Sequence, residues 1–154
     1  MDIEIIEKEP FAVIGKEGST KDGAGFIEAL WRDANAHFDE VAPLAARTAD
    51  GTPLGFWGAM TDFSRSFRPW EKNFTEGLYL AGVECRSDAE APAGWTKWNI
   101  PGFRFVRVSA SGGDTFVAGL RYLSEHGFSL AGAVQDFTDP RTGENSMCFP
   151  IARL

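Results

Sequence analysis

A chain of 154 residues, 44% hydrophobic and 24% charged, can bury one core and has the composition of an ordinary globular protein. Its 15 basic side chains are scattered among 22 acidic ones, and the net charge of −7 argues against a nucleic-acid partner. No stretch approaches the roughly 20 apolar residues of a membrane-spanning helix.

The opening Met-Asp-Ile-Glu-Ile-Ile-Glu has acids where a secretion signal has basic residues. Cys85 and Cys148 are accordingly expected to be reduced, buried thiols of a cytoplasmic protein. Residues 3–6 and 11–15 read as strand segments interrupted by Pro10, which cannot donate to a ladder. Residues 16–25 form a loop. From 24 to about 38 the pattern is helical, with Phe26, Ile27, Leu30, Ala34 and Phe38 on one face.

Asp50-Gly51-Thr52-Pro53 is a turn. Residues 56–63 and 78–86 are expected strands with an irregular aromatic and charged segment between them, and 87–95 an exposed connector. Residues 103–109 are β-rich. A glycine-rich link, Ser111-Gly112-Gly113, leads to Asp114 as the N-cap of a second helix, whose apolar face is Phe116, Val117, Leu120 and Leu123. His126-Gly127 stops it. The last strands fall at 130–137 and 147–152, around a turn at 139–143.

The chain also repeats itself. Phe26-Ile27-Glu28-Ala29-Leu30 matches Phe116-Val117-Ala118-Gly119-Leu120, and Ala59-Met60-Thr61-Asp62-Phe63 matches Ala133-Val134-Gln135-Asp136-Phe137, in the same order. The expectation is an α+β fold of duplicated βαββ units, about 1–86 and 95–154, within a single domain spanning 1–154. They would form one antiparallel sheet with both helices on one face and a ligand cleft between the halves.

Only two histidines exist, His37 and His126, and neither has Cys, Asp or Glu at the spacing of a structural zinc site; no metal and no cofactor is expected. Nucleophile-elbow and phosphate-loop motifs are missing from the sequence. Glu84 stands out. In Tyr79-Leu80-Ala81-Gly82-Val83-Glu84-Cys85 the residues Tyr79, Ala81, Val83 and Cys85 alternate onto a helix-packing face, leaving Leu80, Gly82 and Glu84 on the other. Gly82, without a side chain, is expected to open space beside the carboxylate. The same parity turns Val106 and Val108 toward the helices and Phe103 and Phe105 away from them, with Trp57 joining the latter face. A carboxylate ringed by aromatic side chains suits a lipophilic cation.

The order of several segments resembles the GyrI-like, or AraC-type effector-binding, family over nearly the whole chain. They are residues 4–15, Phe56-Trp57-Gly58, Tyr79-Leu80-Ala81-Gly82-Val83-Glu84, Ile100-Pro101-Gly102-Phe103-Arg104-Phe105-Val106 and Phe149-Pro150-Ile151. The resemblance implies a duplicated βαββ fold and a cleft for hydrophobic, often cationic, compounds, with Glu84 meeting the positive charge. It implies ligand-binding roles for Glu84, Trp57, Phe103, Phe105, Trp98 and Leu80. Relatives often carry Tyr where this chain has Phe105, so the aromatic wall is kept without the hydroxyl. Many also carry a DNA-binding domain, for which the duplicated unit leaves no room within these 154 residues.

Three readings follow. The first is a stand-alone, multidrug-binding type of domain for hydrophobic or cationic small molecules, regulator-like, acting in sequestration or sensing. The second is a hydrolase of strained, cyclopropane-type electrophiles with Glu84 as general base, as some stand-alone members of the family resemble. The third is a modulator that binds a protein partner through an exposed surface.

Overall fold

The computed structural model describes residues 2–110 and 113–154; Ser111 and Gly112 of the expected glycine-rich link lie outside the described residues. Among the described residues, eight strands form one antiparallel sheet: β1 (Ile3–Lys8), β2 (Phe11–Ser19), β3 (Phe56–Thr61), β4 (Leu78–Cys85), β5 (Thr96–Ile100), β6 (Phe103–Ser109), β7 (Gln135–Thr138) and β8 (Asn145–Arg153). Two helices of eleven residues, α1 (Phe26–Ala36) and α3 (Thr115–Glu125), flank it, and α2 (Glu71–Phe74) is a single turn. Asp114 caps α3 as expected, its carboxylate accepting from the Val117 amide at 3.1 Å. Gly127, at φ 72°, ends that helix in the left-handed region.

The strand order is β1-β6-β8-β7-β3-β4-β2-β5. Read from either edge it has the same form. One half is β2, β4 and β3 beneath α1; the other is β6, β8 and β7 beneath α3. They meet where β3 pairs with β7 and Gly58 faces Asp136. The outer strands are exchanged: β1 pairs with β6 of the second half, and β5 with β2 of the first.

That exchange bends the sheet. In a flat sheet β1 and β2 would lie six strand spacings apart, about 29 Å. Yet only Glu9 and Pro10 join them, a link that spans at most about 11 Å. The sheet must therefore curl until its edges approach. Gly102, in the equally short β5–β6 link, packs against Pro10 at the closure, where a methyl group would come 2.9 Å from the Pro10 ring.

The helices cover the convex face. Beneath α1 lie Tyr79, Ala81, Val83 and Cys85, and beneath α3 lie Val106, Val108 and Phe149. The concave face collects Val13, Trp57, Leu80, Trp98, Ile100, Phe103, Phe105 and Cys148. The two cysteines are thus buried on opposite faces of the sheet. Burial pushes the Cys148 thiol up to about 12.

Several sequence expectations need correction. Strand β5 occupies 96–100, which the sequence reading passed over, and β7 begins at Gln135 rather than 130. The amides of Ala131 and Ala133 bond to the carbonyls of Pro150 and Phe67, so that stretch runs outside the ladder. The Ala-x-x-Asp-Phe match does not mark equivalent positions. Asp62 follows the end of β3, whereas Asp136 lies inside β7. Gly82 does not open space: a methyl group there would run into the Ile14 carbonyl oxygen and come within 2.7 Å of the Gly15 Cα. Its role is to let β2 and β4 approach.

Candidate functional site

The concave face is built by strand parity. Trp57 lies directly across from Gly82 on β4, so its indole extends over the neighbouring glycine toward Glu84. The indole N–H donates to Glu84 Oε1 at 3.0 Å. Glu84 is only 5% exposed, so a bare charge there would be costly. Lys8 supplies the compensation, with Nζ 3.1 Å from Glu84 Oε2. The ammonium lies 4.6 Å from the ring centre of Phe11 and 5.8 Å from that of Trp57. Phe11 and Phe137 hold the Trp57 ring between them, with centroids at 4.8 and 4.7 Å.

Beside this group is a cavity of about 220 Å³, lined by Ile6, Glu7, Lys8, Leu54, Trp57, Glu84, Arg107, Phe137 and Cys148. Two of the six expected side chains, Glu84 and Trp57, therefore face a cavity. The other four share the same sheet face and lie behind it. Phe103 and Phe105 are fully buried, with ring centres 5.7 Å apart, and Leu80 and Trp98 are buried beside them.

This face is covered by the chain itself. The segment 62–68, between β3 and β4, folds over it and packs Phe63 and Phe67 into the concave cluster, Phe67 edge-on to Trp98 at 6.1 Å. Its shape is held by Asp62, which accepts from the Ser66 amide at 3.0 Å and the Arg68 amide at 3.3 Å. Arg65 anchors it to Glu17 through two bonds of 2.7 and 2.8 Å. Glu17 also accepts the Trp98 indole at 2.7 Å. The Arg65 guanidinium holds the Glu17 carboxyl below the usual carboxylate range. The concave face thus has two similar groups, Trp57–Glu84–Lys8 and Trp98–Glu17–Arg65. Each carboxylate takes an indole N–H and a basic side chain.

Lys8, Glu17 and Arg65 were not singled out from sequence. Lys8 lies beyond the strand segment expected at 3–6, and its contact with Glu84 depends on the exchange of β1.

A third carboxylate lies on the other side of the sheet. Asp136 is flanked by Gly58, whose missing side chain leaves room for the Tyr79 phenol. Tyr79 donates to Asp136 Oδ2 at 3.0 Å and accepts from the Trp31 indole at 3.0 Å. Burial raises the Asp136 carboxyl to about 6, against the pull of the Tyr79 hydrogen bond. An acid whose folded pKa exceeds its unfolded value contributes stability that is full below about pH 4 and lost as pH rises through about 6. Asp136→Asn should remove that loss. Its melting temperature should exceed the parent's at pH 8 and match it at pH 4, and the reverse order would show that the ionised carboxylate stabilises the fold.

No family model and no curated protein matches the sequence. Among solved structures, the chain is similar to EcmrR in a complex with DNA, with TM-score 0.67 and 11% identity. That match covers 99% of this chain and 58% of EcmrR, so the chain spans little more than half of that protein. It is similar to SAV2435 bound to tetraphenylphosphonium, with TM-score 0.61 and 10% identity over 98% of this chain and 94% of that one. An integron cassette protein of Vibrio cholerae matches with TM-score 0.53 and 17% identity over 99% and 95% of the two chains. At such identities the likeness is one of fold.

Proposed function

We propose that residues 1–154 act as one small-molecule-binding domain of the GyrI-like kind, whose concave cavity receives a hydrophobic organic cation at Glu84. The observation that carries this reading is the position of Lys8. The chain's own ammonium sits against Glu84 and over the Phe11 and Trp57 rings, the surroundings that favour a weakly hydrated cation. A ligand bearing a quaternary nitrogen would take the place of that ammonium while Lys8, one quarter exposed, swings to solvent.

SAV2435, of similar fold, was solved with a lipophilic cation. The net charge of −7 favours such ligands and disfavours direct contact with nucleic acid. Sensing or sequestration is the role that a site built around a charge partner supports. A hydrolase would use the same carboxylate with a water, rather than a cation, in the place that Lys8 leaves at Oε2.

Titration with benzyltrimethylammonium and its neutral isostere neopentylbenzene, followed at the Trp57 indole N–H by NMR, tests this reading. The cation should bind more tightly, and Glu84→Gln should weaken it by about 1–3 kcal/mol, the scale of a charge pair at about 4 Å in a partly buried site, with little effect on the isostere. Equal affinities for both compounds in both proteins would refute it.

A further inference from the structure

The convex face carries a second groove that the proposed function does not use. It runs between α1 and α3 over the β3–β7 ladder. One end is a cavity of about 210 Å³ lined by Trp31, Gly58, Tyr79, Asp136, Phe137 and Thr138, with Asn145 and Ser146 at its side. The other is a cavity of similar volume with only apolar walls: Met60, Trp70, Phe74, Phe116, Val134 and Met147, with Ala133 at its base.

Two cross-strand pairs join these ends. Met60 of the apolar end lies opposite Tyr79 of the acidic end, and Met147 lies opposite Asp136. Each pair places its two side chains on the same face of the sheet, about 5 Å apart. The two cavities are therefore neighbours on this face, with these pairs between them.

Asp136 differs from the two carboxylates of the concave face. Glu84 and Glu17 each have a basic partner. Among the described residues, none forms an ion pair with Asp136, and Tyr79 is its hydrogen-bond partner through one oxygen. Tyr79 and Trp31, aromatic groups of the kind that attract cations, line the same cavity as the carboxyl. Desolvation disfavours its ionised form, and a bound cation would relieve that penalty.

The geometry points to a second ligand site on the helix face, taking a small amphiphilic amine with its ammonium on Asp136 and its apolar body between Met60, Phe116 and Met147. The site is independent of Glu84, which lies on the opposite face of the sheet.

Uniform labelling of the tryptophan indoles in the intact chain separates the two sites. Trp31 donates to Tyr79 at the acidic end, and Trp70 to the Leu78 carbonyl at the apolar end. Trp57 reports the concave site. Added 4-phenylbutylammonium should shift the Trp31 and Trp70 indole signals along one saturable curve. Benzylammonium, lacking the tail, should bind at least tenfold more weakly, and so should the neutral 4-phenylbutanol. Asp136→Asn should abolish the preference of ammonium over alcohol, and Glu84→Gln should leave it unchanged. A response confined to Trp57, or an Asp136→Asn protein that still prefers the ammonium, would overturn the proposal.

Discussion

Lys8→Met should bind benzyltrimethylammonium at least tenfold more tightly than the parent protein while melting at a lower temperature. Both effects come from one contact. The Lys8 ammonium occupies the place of the ligand's charge, so binding to the parent must break the 3.1 Å pair with Glu84. Methionine keeps most of the side-chain volume over Phe11 and leaves the carboxylate without a counter-ion. A tenfold gain corresponds to about 1.4 kcal/mol, within the worth of a charge-assisted hydrogen bond.

Removing one partner of a buried pair strands the other. Lys8 is partly exposed, so the loss of stability should be about 2–3 kcal/mol rather than the larger cost of a fully buried pair. Saturating cation should return much of it, which thermal melting with and without ligand would show. An affinity equal to the parent's would mean that Lys8 and the ligand do not compete.

Gly82→Ala should cost about 3 kcal/mol or more, near the upper end for overpacking, in chemical unfolding. The added methyl would meet the Ile14 carbonyl oxygen and, at 2.7 Å, the Gly15 Cα. Both are backbone atoms, so no rotamer change relieves the contact and β2 must move from β4. Gly15 is its cross-strand partner, and a methyl there would likewise meet the Ala81 backbone. The pair is a point of close approach in the middle of the ladder. A cost below about 1 kcal/mol would mean that the ladder has slack there, and the loss of cation affinity should track the loss of stability.

Face assignments were legible wherever alternation was strong. Tyr79 to Cys85 and Phe103 to Val108 divide between helix and concave faces as their parity dictates, because a strand has no other way to place successive side chains. Asp114 and Gly127 were legible because capping is local chemistry. Strand β5 was not recognised, although Trp98 and Ile100 alternate inward in a five-residue run closed by Pro101-Gly102.

The partners of Glu84 were legible only in part. Trp57 followed from parity. Lys8 did not, since its contact depends on the curl of the sheet and on β1 joining the second half. The cover over the concave face was also hidden. Arg65 and Phe67 hold positive φ there, a conformation that nothing in their residue type announces. The repeat was read correctly as an architecture of two like halves but misaligned at Asp62 and Asp136. Short matches in a sequence rich in Phe and Ala can slip by several positions without changing the pattern of elements.

The exchange of β1 and β5 also bears on how the chain reaches its final form. Ile3 pairs with Val108, and Phe11 with Ile100, so β1 and β2 are made long before the strands they pair with. Closing such long loops is entropically unfavourable before the contacts that reward it exist, and folds dominated by distant pairings form slowly for that reason. The first half can build its β2–β4–β3 core early, yet one side of β2 keeps open backbone groups until β5 arrives. Over that interval β2 offers a bare strand edge to any neighbouring chain. The chain's net charge of −7 works against such association between copies.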